Sequence, residues 1–289
     1  MPTLKEIKGR IGSVKSTLKI TSAMKLVSSA KLRKAQKATE AMRPYEQQLQ
    51  RMLSAVGGAN AVMPGSDASV MPGSDRASRA IIAIASNSSL CGGFNTNVIN
   101  KVRAERKAGD VVYSIGRKMA DAMRKEGFPS PEDYSRLAEH PEYAAAAALA
   151  DKLMADVQAG VYSDVLLIYN HFVSTAKQVP TVDSLLKMDD APVIPSEASV
   201  SPAPECDDII EPSVSALREI LLPKVLKLKL YATLLDSAAA EHAARTVAMQ
   251  TATDNGENLL QELTLQYNKG RQQKITAEIL DLAGGQSQD

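Results

Sequence analysis

LKEIKGRIGSVKSTL (residues 4–18) places Leu4, Ile7, Ile11, Val14 and Leu18 at alternating spacings of three and four. That rhythm is the seam of a helix that pairs with another helix. Thr3, with Glu6 three residues on, reads as a capping box that starts it. The helical pattern continues to about residue 57, which at 1.5 Å per residue predicts a rod of roughly 80 Å. From Ala35 the seam resumes through Ala38, Met42, Tyr45, Leu49, Met52 and Val56.

Between these two runs lies KITSAMKLVSSAKLRKAQ (19–36), where Ile20, Met24 and Val27 stand in a different phase. A slip of this kind turns the apolar stripe to another side of the helix. The stretch carries Lys19, Lys25, Lys31, Arg33 and Lys34 with no acid, and its small residues (Ser22, Ala23, Ser28, Ser29, Ala30) cluster.

The end of the chain mirrors the beginning. From Ser213 onward, Leu221, Leu228, Leu235, His242, Met249, Gly256 and Leu263 fall one heptad apart, and Ala238, Arg245, Ala252 and Leu259 fill the second row. His242, Arg245 and Gly256 are weak seam residues, and Pro223 should kink this helix or mark its first turn. Two long helices with matching seams are expected to pair with each other, as an antiparallel left-handed coiled coil.

The middle has another composition. RAIIAIAS (79–86), DVVYSIG (110–116) and DVLLIYNHF (164–172) read as strands. Helices are expected from about Asn95 to Lys107, after the second strand, and over 143–160. Strands alternating with helices predict a small, doubly wound, Rossmann-like α/β domain. The expected plan is an N-terminal helix (1–57), a flexible loop with the near-duplication VMPGSDAS and VMPGSDRAS (58–78), the α/β domain (79–195), a linker (196–212) and a C-terminal helix (213–289).

Charge is segregated. Eleven Lys/Arg stand against two acids in residues 1–43, whereas the whole chain is +1, and 189–212 holds seven acids and no base. A basic end implies an acidic partner. No run of some 18 apolar residues could cross a membrane, and no secretory signal is visible at the N-terminus. Cys91 and Cys206, far apart in sequence, suit a reducing cytoplasm.

Catalytic motifs are weak. GRIGSVKS (9–16) lacks the second P-loop glycine and follows no strand. SNSSLCGGFN (86–95) follows a strand but lacks the dinucleotide fingerprint. His140, His171 and His242 show no metal-ligand spacing. No catalytic group, cofactor or metal is expected.

KITSAMKLVSSAKLRKAQ, SNSSLCGGFN and the block EHAARTVAMQTATDNGENLLQELTLQYNKGRQQKITAEILDLAGG (241–285) together resemble the gamma subunit family of the F-type ATP synthase, bacterial type, in the right order along the whole chain. Ile275, Thr276, Glu278, Asp281 and Gly285 match the family's closing motif, whereas Gln286 replaces its alanine and the 58–78 insertion is unusual.

The resemblance implies a non-catalytic rotor: a single copy whose helix pair turns inside a ring of alpha and beta subunits, while the α/β domain meets the epsilon subunit and the c-ring. It implies sleeve contacts at Met24, Lys25, Lys31, Arg33, Arg245, Arg271, Gln272, Thr276 and Glu278. Contacts with the c-ring or epsilon fall to Asp207, Asp208 and Ile210. The place implied is the cytoplasmic face of the bacterial inner membrane, peripheral to it. In this reading small residues give clearance and basic ones make weak, exchangeable contacts. Two other readings compete: a basic coiled-coil nucleic-acid binder, although stacking aromatics are absent from 1–43, and a Rossmann-type enzyme with helical arms.

Overall fold

A computed structural model of the chain describes residues 3–55, 78–186 and 213–285. In chain order the elements are α1 (Leu4–Ala55), β1 (Ser78–Ile84), α2 (Phe94–Glu105), β2 (Val111–Ile115) and α3 (Arg117–Lys125). There follow α4 (Ser135–Glu139), α5 (Tyr143–Gln158), β3 (Tyr162–Phe172), β4 (Gln178–Ser184) and α6 (Val214–Gly285). The chain divides into two units, Met1–Ala30 with Arg245–Asp289, and Lys31–Ala244.

The first unit is a helix pair. Thr3 opens α1 as a capping box: its backbone N–H donates to Glu6 Oε2 at 3.0 Å, and Glu6 N–H donates to Thr3 Oγ1 at 3.3 Å. Thr253 Oγ1 lies 3.0 Å from Thr21 Oγ1. Leu18 packs over Gly256 and Leu4 over Gly270. In each of these pairs the α6 number rises as the α1 number falls, which makes the helices antiparallel. Both glycines do what a larger residue could not. A Cβ on Gly256 would stand 2.7 Å from Leu18 Cδ2, and one on Gly270 would stand 3.1 Å from Leu4 Cδ2.

The seam corrects the sequence reading in three places. It does not slip at the waist: Thr21 and Ser28 are buried and Lys25 is half-buried, while Ile20 and Val27 are exposed. Further along α1, in the second unit, Glu46 and Leu53 take the inward positions expected of Tyr45 and Met52. On α6, Thr253 and Leu260 turn inward and Ala252 and Leu259 turn out. A three-four repeat can be entered with either step first, and hydrophobicity alone chose the wrong step. Gly256, expected to weaken the pairing, is where Leu18 packs.

The second unit holds a four-stranded sheet in the order β2-β1-β3-β4. β1 runs parallel to both neighbours, with Ile82 opposite Tyr113 on one side and Leu167 on the other. β4, which the sequence reading missed, returns antiparallel along β3, with Leu167 opposite Asp183 and Phe172 opposite Gln178. Its sequence QVPTVDS alternates little and contains a proline, which an edge strand tolerates.

Helices cover both faces. Ile81, Ala83, Val112 and Ile168 pack with Val98 and Val102 of α2 and with Met119 and Met123 of α3. Ile82, Tyr113, Val165 and Leu167 pack on the other side with Leu149 and Leu153 of α5 and with Leu222, Leu226 and Leu230 of α6. The turn from β2 into α3 requires glycine. Gly116 has φ +97°, and a Cβ there would stand 2.1 Å from the Ala85 carbonyl oxygen. In the same unit Leu49 and Leu53 of α1 pack against Leu221, Val225 and Leu228 of α6. Pro223 lies inside α6, past its first turn.

Candidate interaction surfaces

In the helix-pair unit, Leu4 is the first residue of α1 and sits against Gly270. Beyond that point α6 has no described α1 residue opposite it, and every residue from 271 to 280 is exposed. Arg271, Gln272, Thr276 and Glu278 all stand on this projecting segment. Thr276 Oγ1 donates to the Gln272 carbonyl at 2.9 Å, and Lys274 Nζ lies 3.7 Å from Glu278 Oε1. Ile275, Ile279 and Leu280 are exposed among them, the last at 63%. An unpaired helix gains little from propensity alone, and exposed apolar residues on it call for a covering surface.

The other exposed run is at the waist. Ile20, Leu26 and Val27 present apolar side chains to solvent, Leu26 at 70%. Met24 and Lys25 are half-buried beside them. Lys31 and Arg33, which belong to the second unit, are exposed. Apolar and basic groups thus share the surface of α1, a mixture suited to an acidic partner with some apolar contact.

Arg245 differs from the other expected contact residues. It is 7% exposed, and the residue has a partner within the chain. Neither a surface contact nor a cation reaching from the seam to water describes a group so placed. Asp207, Asp208 and Ile210 lie outside the described residues.

Along α1 and α6 in the first unit, Glu6, Gly9, Arg10, Ser13, Val14, Leu259 and Leu263 line an open groove of about 990 Å³. GRIGSVKS falls here, inside a continuous helix. A P-loop needs its backbone N–H groups turned toward phosphate, and those of residues interior to a helix are bonded along it.

SNSSLCGGFN is closed upon itself. Asn95 Oδ1 accepts the Ser86 N–H at 3.0 Å and the Ser86 hydroxyl at 3.0 Å, and Asn95 Nδ2 donates to Cys91 Sγ at 3.2 Å. Cys91 and Phe94 are buried against Ala240 of α6. Leu90 stands out from the turn at φ +67° with its side chain exposed. A leucine in that conformation is strained, a cost that accumulates at functional positions. The quoted motif contained this leucine, but its conformation had no signal in the sequence.

Among the described residues no group of His, Cys, Asp or Glu could hold a metal ion, and no helix is long and apolar enough to cross a membrane.

A family model described as ATP synthase matches residues 3–287. The chain is 46% identical to the ATP synthase gamma chain of Phocaeicola vulgatus, covering 99% of each. It is 38% identical to that of Pelotomaculum thermopropionicum, covering 99% of this chain and 98% of the other. Among solved structures it is similar to a chain of the Euglena gracilis mitochondrial ATP synthase, OSCP/F1/c-ring, with TM-score 0.69 at 21% identity, covering 98% of this chain and 93% of that one. A chain of the Tetrahymena thermophila mitochondrial ATP synthase central stalk and c-ring gives 0.55 at 22%, covering 81% and 99%.

Proposed function

The chain belongs to the ATP synthase gamma-chain family, and on that premise we propose that it is the rotor of the central stalk, carrying rotation between a c-ring and the catalytic head. The observation that carries this reading is the projecting end of α6, exposed from 271 to 280 with Ile275, Ile279 and Leu280 bare. An apolar tip on a lone helix fits a shaft end that is covered by surrounding alpha and beta subunits and still free to turn.

The waist supports the same reading. Thr21 and Ser28, buried in the seam, are small and polar, so α1 and α6 approach closely there while the outward face carries the basic residues. Met24, Lys25, Lys31, Arg33, Arg271, Gln272, Thr276 and Glu278 are assigned to the sleeve, as weak solvated contacts that exchange as the shaft turns. Leu90 joins them as an exposed apolar contact. Asp207, Asp208 and Ile210 are assigned to the c-ring or epsilon subunit.

The chain itself performs no catalysis. It biases sites on other subunits by its orientation, a coupling free energy between distant sites. One copy serves each complex, peripheral to the membrane on its cytoplasmic face. The nucleic-acid alternative is set aside, because no aromatic accompanies the basic residues of α1 before Tyr45.

Co-expression with alpha and beta subunits tests the assignment. The tagged chain is expected to co-purify with both as a complex that hydrolyses ATP, and a chain that stays alone would overturn it. Cysteines placed at 207 or 210 should crosslink to c-subunit loops or to epsilon.

A further inference from the structure

Three successive residues at the end of β3 tie the strand to α2 and to α6 in the second unit. Asn170 Nδ2 donates to the Phe94 carbonyl at 2.9 Å, which ties the strand to the start of α2. His171 Nδ1 lies 2.6 Å from Asp236 Oδ2 on α6. The backbone N–H of Phe172 donates to Asp236 Oδ1 at 3.2 Å.

The Phe172 ring belongs to two small apolar clusters. One joins it to Leu32 and Ala35 of α1 and to Ala239 and Ala243 of α6; the other joins it to Cys91, Phe94, Ala240 and Ala244. One strand end therefore meets both long helices and the 86–95 turn.

Two other polar links tie α6 to the α/β domain. Lys227 Nζ lies 2.7 Å from Asp151 Oδ1, whose side chain is 54% exposed. Lys229 Nζ reaches Asp183 Oδ1 at 3.1 Å and the Ser184 carbonyl at 2.7 Å. Asp236 uses both carboxylate oxygens on β3, one for a backbone N–H and one for a side chain. An apolar contact against alanines resists separation but slides easily. Two directed hydrogen bonds from one side chain fix orientation, and a torsional load acts on orientation.

We propose that Asn170, His171 and Phe172 together with Asp236 form the joint through which torque passes between the α/β domain and the segments of α1 and α6 in the same unit, with Asp236 as the positioning residue. This rests on the rotor reading above and adds to it where the load crosses. Burial pushes the Asp236 carboxyl above its usual range, and His171 and the Phe172 N–H draw it back only in part.

The test uses the assembled complex in sealed vesicles, with ATP hydrolysis and ATP-driven ion uptake measured together. Asp236→Asn keeps an acceptor for the Phe172 N–H and offers a donor to His171, so ions moved per ATP should stay within about twofold of the wild type. Asp236→Leu removes both bonds. Its hydrolysis is expected to persist while ions moved per ATP fall about fivefold or more, the deficit growing as the opposing gradient builds. Wild-type yield per ATP in the assembled Asp236→Leu complex under load would overturn the proposal.

Where Asp236→Leu does not assemble, His171→Leu carries the test, since it leaves the Phe172 bond in place. A reduced yield per ATP supports the joint and an unchanged yield overturns it. A wild-type complex that hydrolyses ATP and moves no ions would count against the rotor reading instead.

Discussion

Arg245 and Gly256 occupy seam positions where an aliphatic side chain would be expected, and the two departures have different causes. Gly256 is a space requirement: Leu18 occupies the volume that a side chain there would take. Arg245 is a requirement of another kind, a guanidinium in a residue that is only 7% exposed and has a partner. A buried guanidinium is kept in a fold by hydrogen bonding or pairing, and leaving its partner unsatisfied costs about 1–3 kcal/mol or more. Arg245→Leu is therefore expected to lower the melting temperature of the isolated chain, although leucine suits a coiled-coil seam better by composition. Thermal unfolding monitored by circular dichroism measures it, and an unchanged or raised midpoint would show that the cation is dispensable.

Among the elements, the helix pair of the first unit illustrates how a seam tolerates polar and missing side chains. Thr21 meets Thr253, and leucines meet glycines at Leu18–Gly256 and Leu4–Gly270. Each contact is small on one side, which lets the backbones come close. A leucine at 256 must displace Leu18, and overpacking of that kind costs about 1–3 kcal/mol. Gly256→Leu should lower the unfolding midpoint accordingly. Gly12 on α1 is the internal control, because nothing lies within 4 Å of where its Cβ would be. Gly12→Ala should gain about 0.5–1 kcal/mol through helix propensity alone. If both substitutions moved the midpoint the same way, the seam contacts would be wrong.

Over the molecule as a whole, response to acid depends on a few carboxylates with opposite tendencies. Burial pushes Asp110 upward, but the Arg79 guanidinium, at 2.6 Å and 3.2 Å, and the Lys107 backbone N–H outweigh it and hold the carboxyl below its usual range. Its stabilisation is present above the ordinary carboxylate range and is lost as pH falls through the lowered value. Asp236 and Glu46 are raised, chiefly by burial, and so favour the fold as pH falls. Urea midpoints measured from neutral pH to about pH 3 should fall below about pH 4. Asp110→Asn should flatten that acid limb while lowering stability at neutral pH. An acid limb as steep as the wild type's would remove Asp110 from the account.

The three-four spacing of Leu4 through Leu18, the heptad row from Leu221 to Leu263 and the apolar runs at 79–86, 110–116 and 164–172 were enough to determine two long paired helices around an α/β domain. Periodicity of that kind reports which face of an element must leave water, and water is the same for every fold. It could not choose between Ile20 and Thr21, or between Ala252 and Thr253, because the choice depends on what stands opposite. Only the folded chain supplies Gly256 for Leu18, Thr253 for Thr21 and Ala240 for Cys91 and Phe94. The edge strand β4 was invisible for a related reason: QVPTVDS has little pattern of its own and becomes a strand by pairing with β3. The joint at Asp236 brings together residues 65 positions apart in sequence. Complementarity across such distances is a property of pairs, and a single strip of residues records only one member of each.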